Sequence, residues 1–90
     1  MSTLTEDPNE RASRYLTNFE AAIAKFAPVT EDAVVSAQRI RKAMDAIQRY
    51  LYDARYYMKN GKAVTALASV AYAEGLMDAL TFLGLTQNKS

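Results

Sequence analysis

The stretch from residue 53 to residue 85 constrains the fold of this chain more than any other. It reads as the end of one helix, a tight turn at Asn60-Gly61, and a second helix with apolar residues on almost every side. A helix that is apolar nearly all round has to be covered by other elements. We therefore expect the rest of the chain to be arranged around this helix, the third in chain order.

Size and composition indicate one small helical domain over residues 1–90, with frayed ends at about residues 1–6 and 86–90. Half of the residues are apolar and 23% are charged, which is ordinary globular composition. No apolar run approaches the roughly 18 residues of a membrane span. The N-terminus is acidic and lacks an apolar secretory segment. We expect a cytoplasmic protein that does not contact a membrane.

The residue types exclude several kinds of chemistry. The chain has no Cys and no His, so it contains no disulfide, no thiolate metal site, no Cys–His pair and no Ser-His-Asp triad. The three glycines, Gly61, Gly75 and Gly84, are too far apart to form a phosphate-binding loop. We expect neither catalysis nor a bound cofactor or metal.

Capping and stop signals predict three helices, near residues 8–26, 31–59 and 62–83. Asp7, before Pro8, and Thr30 are suitable N-caps for the first two helices. Pro28 ends the first helix and Gly61 ends the second. The predicted fold is all-α, an up-down-up three-helix bundle with a long middle helix.

Each predicted helix carries an apolar stripe in steps of three and four residues, which is typical of a buried helix face. Leu51 and Val70 are predicted core residues where the second helix meets the third. The stripes are Ala12, Leu16, Phe19, Ile23 and Phe26 in the first helix, Ala37, Ile40, Met44, Ile47, Leu51, Ala54 and Met58 in the second, and Ala66, Val70, Ala73, Met77 and Leu80 in the third.

Short runs of residues along nearly the whole chain carry a family resemblance: Asp53-Ala54, Tyr56-Tyr57, Gly61, Thr65–Ala68, Tyr72–Leu76, Asp78–Leu80 and Leu83-Gly84, with Glu10-Arg11 and Arg14–Leu16 in the first helix. Together they resemble an archaeal family of small helical proteins, known as domain of unknown function 357. That resemblance implies a three-helix bundle from an archaeal source, with no assigned activity and no established site residues.

Two groups of side chains form the candidate interaction surface. Glu74 and Asp78, four residues apart on a largely apolar helix, would either pair with Arg41, Lys42 or Arg49 of the second helix or hold a metal ion; we prefer ion pairing. The second group is basic and aromatic, and combines cations for phosphates with rings for stacking nucleobases. It comprises Arg49, Tyr52, Arg55, Tyr56 and Lys59. Its alternative role is structural, with Tyr50 and Tyr57 against the apolar seam.

A row of small residues, Ala71, Gly75 and Ala79, predicts close approach of another backbone, since glycine inside a helix usually has a packing reason. Another helix of the same chain is the preferred neighbour, and a second copy of the protein is the alternative. For this reason we expect Gly75→Ala to destabilise the protein.

The sequence as a whole favours a non-catalytic protein–protein interaction module whose partner is another protein or a second copy. A nucleic-acid-binding accessory protein is the alternative, because residues 33–62 carry seven basic and two acidic side chains. A metal-dependent enzyme built on Glu74 and Asp78 is the third reading.

Overall fold

The computed structural model describes residues 8–87, which form three α-helices and no strand. The helices are α1 (Pro8–Ala24), α2 (Ala37–Lys59) and α3 (Ala63–Phe82). The all-α class is thus confirmed, and bundle-like packing is seen between α2 and α3. The predicted cap at Asp7 and the predicted frayed residues 1–6 lie outside the described residues, as do residues 88–90 of the frayed end predicted at 86–90.

The chain divides into two compact units, Met1–Ala33 with α1 and Val34–Ser90 with α2 and α3. In the first unit, α1 is amphipathic, but the stripe predicted to be buried is exposed: Leu16, Phe19 and Ile23 are 50–63% exposed. The reason is that α1 has no second helix to pack on within its own unit. The Arg11 guanidinium lies 5.9 Å from the ring centre of Tyr15, one turn away on the same helix.

In the second unit, α2 begins at Ala37 and not near residue 31 as predicted. Ser36 is the N-cap: its backbone is extended and its hydroxyl accepts a hydrogen bond of 3.2 Å from the Arg39 N–H. The prediction that Thr30 caps this helix was therefore wrong. The β-branched pair Val34-Val35 loses side-chain freedom in a helix, and a serine directly after it offers the better cap. With 23 residues, α2 is about 35 Å long.

The two candidate caps give different expectations for alanine variants. Ser36→Ala removes the bond to the Arg39 N–H and should lower the free energy of unfolding by about 1 kcal/mol. Thr30→Ala lies outside any helix and should change it by less than about 0.5 kcal/mol. Urea unfolding followed by circular dichroism measures both, and a larger loss for Thr30→Ala than for Ser36→Ala would contradict this N-terminus.

The turn between α2 and α3 requires glycine. Gly61 has a φ of 72°, in the left-handed region that residues with a side chain avoid. Two hydrogen bonds close the end of α2, from the Lys62 N–H to the Tyr57 carbonyl at 2.9 Å and from the Gly61 N–H to the Met58 carbonyl at 3.2 Å. This is a Schellman motif, which satisfies carbonyls that the helix leaves free. It turns the chain so that α3 runs back along α2.

The core of this helical hairpin is a narrow seam. Ile47 of α2 contacts Ala73 and Leu80 of α3, and Ala54 and Ala66 are buried nearer the turn. Gly84 (φ 71°) ends α3 with a second Schellman motif, which brings Leu85 against Leu80. Because the buried residues are mostly small, the two helices approach closely.

The predicted stripes were only partly right about this seam. Leu51 and Val70, expected in the core, are half-buried; Leu51 packs against the buried cluster of Ile47, Ala73 and Leu80. Met44, Met58 and Met77 are exposed. Tyr50 packs against the core cluster, as predicted, and Tyr57 is half-buried. The buried and half-buried residues of α2 extend the predicted stripe toward one side, since Met44 and Met58 are exposed while Ala43 and Tyr57 are not; they are Ile40, Ala43, Ala46, Ile47, Tyr50, Leu51, Ala54 and Tyr57.

Candidate functional site

The basic and aromatic residues of the predicted interaction surface lie together on the side of α2 opposite the seam, as helical spacing places them. Tyr52 is 69% exposed and Tyr56 is 57% exposed. We call this surface the basic face of α2; it comprises Arg41, Lys42, Arg49, Tyr52, Arg55, Tyr56 and Lys59, all of them exposed. Asp45 and Asp53 lie beside its five cations, so the face still carries an excess of positive charge.

The first turns of α2 add further basic side chains to this region. Gln38, Arg39, Arg41, Lys42 and Asp45 line a shallow surface depression of about 510 Å³. Three cations against one carboxylate make its lining net positive. The opening is broad, so it resembles a surface on which an anion rests rather than an enclosed ligand pocket.

Ring contacts fix several of the aromatic side chains near this face. Tyr50 stacks on Tyr72 of α3, with ring centres 5.3 Å apart and planes inclined by 20°. Tyr56 meets Tyr57 edge-on at 5.6 Å. Because Tyr57 is half-buried, this contact holds the Tyr56 ring at the surface. Tyr52 has no ring contact with a residue in the described part of the chain and stays free to stack on a ligand.

Glu74 and Asp78 do not join this surface, although the sequence grouped them with it. Both are exposed on α3, and neither forms an ion pair with any residue between 8 and 87. The preferred interpretation, pairing with Arg41, Lys42 or Arg49, is therefore not what this structure contains. No ion pair forms because those cations lie on the side of α2 that points away from α3.

The metal interpretation gains no support either. Within residues 8–87 there is no group of three Asp, Glu, His or Cys side chains arranged to hold a metal ion. Two exposed carboxylates on one helix leave most of the coordination sphere to water.

A second surface lies on the side of α3 that faces away from α2; the sequence had singled out only its row of small residues, Ala71, Gly75 and Ala79. Val64, Leu67 and Phe82 are 83%, 69% and 85% exposed. We call it the outer face of α3; it comprises Val64, Leu67, Ala68, Ala71, Gly75, Asp78, Ala79 and Phe82, of which Asp78 is the charged member. The signal that could have revealed it was present: a helix apolar on every side buries only one side against a single neighbour.

Gly75 lies in the middle of this outer face and contradicts the prediction of close packing inside the chain. A Cβ built on Gly75 would meet no atom within 4 Å. Ala71 and Ala79 are exposed as well. The row of small residues therefore faces open space in the described part of the chain.

The length of α3 adds one observation about this helix. By length and composition alone, α3 would also pass as a membrane-spanning helix, as the core helices of many soluble proteins do. Only 22% of its most apolar window is buried. Glu74 and Asp78 lie within it, and their charges oppose a fully lipid-covered helix.

Comparison with known proteins identifies a family and nothing more specific. The family described as "Protein of unknown function (DUF357)" matches residues 14–86. No curated protein and no solved structure matches the chain significantly.

Proposed function

Because this chain belongs to the DUF357 family, for which no function is known, we propose its role from its surfaces: it is a non-catalytic module that binds another protein chain through the outer face of α3. The observation that carries the proposal is the exposure of Val64, Leu67 and Phe82 on one side of one helix. Contiguous exposed apolar patches of a few hundred Å² mark interaction sites far more often than isolated apolar residues do.

The shape of this face suits a helical partner. Large apolar side chains stand at its two ends, and small residues such as Ala71 and Gly75 lie between them, together with the carboxylate of Asp78. A partner helix can approach the small residues closely while its flanks contact the large ones, as in ridges-into-grooves packing. The face contains no enclosed cavity and none of the nucleophile–base pairs of enzymes, which favours binding over catalysis.

The basic face of α2 supports a second candidate function, a nucleic-acid-binding accessory protein. Its exposed cations attract phosphates, and the exposed rings of Tyr52 and Tyr56 offer planes on which unpaired bases stack. This surface lies on the other helix and on the opposite side of the hairpin from the outer face of α3. The two candidates can therefore be separated by variants that affect one face only.

A capture experiment with the tagged full chain tests both candidates. Leu67→Glu places a charge on the outer face of α3, and Arg55→Glu reverses one on the basic face of α2. We expect chemical cross-linking in lysate of the source organism to trap a defined protein contact with the wild type and Arg55→Glu chains but not with Leu67→Glu. Circular dichroism confirms that both exposed-site variants fold.

The variant that loses the trapped contacts decides between the two candidate functions. If Leu67→Glu traps the same proteins as the wild type, the outer face is not the binding surface and the proposal fails. If the trapped contacts disappear after nuclease treatment and with Arg55→Glu, the second candidate is supported. Binding to single-stranded RNA should then weaken steeply as salt rises.

A further inference from the structure

We infer that the basic face of α2 binds single-stranded nucleic acid, with the strand following the helix and two of its bases stacked on Tyr52 and Tyr56. The inference rests on the second candidate function above and names the form of nucleic acid that this surface fits. The outer face of α3 has no part in it, because that face lies on the opposite side of the hairpin.

The cations of this face are free to contact phosphates. Arg49, Arg55 and Lys59 are exposed, and none of them forms an ion pair with any residue between 8 and 87. The two carboxylates beside the five cations, Asp45 and Asp53, leave three positive charges uncompensated. Uncompensated charge of one sign along one surface attracts a polyanion and raises its rate of association.

Rings and cations alternate along the face. Tyr52 lies three residues after Arg49 and three before Arg55, and Tyr56 lies three residues before Lys59. Residues three apart are neighbours on a helix surface, so each ring has a cation within one turn. A base stacked on either ring brings the phosphates on its two sides toward these cations. Proteins that bind single strands without sequence preference combine the same two elements.

The spacing of the two rings distinguishes a single strand from a duplex. Tyr52 and Tyr56 are four residues apart, which is about 6 Å along the helix. Successive bases of a duplex strand are only about 3.4 Å apart, and they cover one another's faces. The bases of an unpaired strand can separate, so that each stacks on its own ring. Both rings are available for this, since they are 69% and 57% exposed.

The depression in the first turns of α2 extends the face toward the N-terminal end of the helix. Arg41 and Lys42 line it, and its volume is about 510 Å³. From Arg41 to Lys59 the face is about 27 Å long. A strand with its bases about 6 Å apart places four or five nucleotides along that length, close to the smaller sites of known single-strand binders, which hold about four.

Two other anionic partners fit the face less well. A helix that lies on an acidic membrane inserts its apolar side into the lipid, but the apolar side of α2 is packed against α3. An acidic peptide would pair with the cations but offers few flat groups to two exposed rings. Every base of a nucleic-acid strand has a flat face that stacks on an aromatic ring.

Fluorescence anisotropy with the purified full chain tests the inference, with a labelled oligouridylate of about 12 nucleotides as the probe. The association constant should fall with salt with a logarithmic slope of about −2 to −3, since each of three or four neutralised phosphates contributes about −0.7. A duplex of the same length should bind at least about tenfold more weakly, because it offers no base to either ring. No binding at low salt, or tighter binding of the duplex, overturns the inference and leaves the capture experiment with Leu67→Glu unaffected.

Tyrosine variants test the stacking. Tyr52→Ala should weaken binding by about 5- to 100-fold, and Tyr52→Phe, which keeps the ring, should bind like the wild type. Tyr15→Ala is the matched control, because it removes an equally exposed tyrosine from α1 (59% exposed) and should leave binding unchanged. Circular dichroism checks that each variant folds. Unchanged binding by Tyr52→Ala, or an equal loss with Tyr15→Ala, would show that the strand does not stack on this face.

Charge variants test the contact with phosphates. Arg55→Gln should make the salt slope shallower by about 0.7, because one phosphate contact is lost. Lys25→Gln removes the same charge from an exposed position outside α2 and should leave the slope unchanged. If the two variants change the slope equally, binding responds only to the net charge of the chain and the assignment to α2 is wrong.

Two competitors separate a nucleic acid from other polyanions. Unlabelled oligouridylate should displace the probe, and inorganic polyphosphate with the same number of phosphates should displace it at least about fivefold less well, since it has no bases to stack. Equal displacement by the two overturns the inference, because the bases then contribute nothing. Co-sedimentation with phosphatidylserine vesicles by a chain that does not bind oligouridylate would assign the basic face to an acidic membrane instead.

Discussion

Ile47→Ala is expected to lower the free energy of unfolding by about 2–4 kcal/mol, because it truncates one of the two large buried side chains of the hairpin, the other being Leu80. Ile47 is 3% exposed and contacts Ala73 and Leu80 of α3. Truncation loses this burial and leaves a cavity between the two helices, beside Leu80 and buried alanines that are too small to fill it. Urea unfolding measured by circular dichroism gives the value.

Met58→Ala is the matched control on the same helix. The predicted stripe gave Met58 the same role as Ile47, but the structure leaves it 61% exposed. Its truncation should cost less than about 0.5 kcal/mol. Equal losses for the two variants would mean that α2 is rotated toward the predicted stripe. Leu51, half-buried against the core, should fall between them.

The existence, number and order of the helices could be predicted from the sequence, because periodicity and the glycine turn are local signals. The start of α2 could not, since Thr30 and Ser36 are both good caps and only the conformation of residues 31–35 decides between them. The extension of the α2 stripe toward one side was missed for a related reason. Its stripe admits Met44 or Ala43 and Met58 or Tyr57 at adjacent positions, and spacing alone ranks neither.

The candidate surfaces, like the fold, could be predicted from the sequence only in part. Arg49, Tyr52, Arg55, Tyr56 and Lys59 share one face because they belong to one helix, and helical spacing predicts that. Glu74 and Asp78 were assigned to the same surface on the basis of register across the hairpin. Register places residues at the same height but does not say which way they point, and here the cations of α2 point away from α3. The open space at Gly75 depends on the same unknown rotation.

Ala73→Leu should destabilise the hairpin by roughly 1–3 kcal/mol, through overpacking rather than through a cavity. Ala73 is 3% exposed and contacts Ile47, so three added carbon atoms have no room unless the helices separate. Ala63→Leu is the control, since it makes the same change at an exposed position in the first turn of α3. The difference in helix propensity between alanine and leucine is only a few tenths of a kcal/mol, so the control should be nearly neutral.

Ala73→Leu also tests the close approach of α2 and α3, which determines which side of α3 is buried and which side is its outer face. If the seam is as narrow as Ala54, Ala66 and Ala73 indicate, a larger residue in its centre pushes the helices apart and exposes Ile47. The slope of the unfolding free energy against urea should then fall, because the folded state already exposes part of the surface that unfolding exposes. A neutral Ala73→Leu with an unchanged slope would show that the seam has room and that α3 is free to rotate against α2. The division of α3 into a buried side and an outer face would then no longer hold.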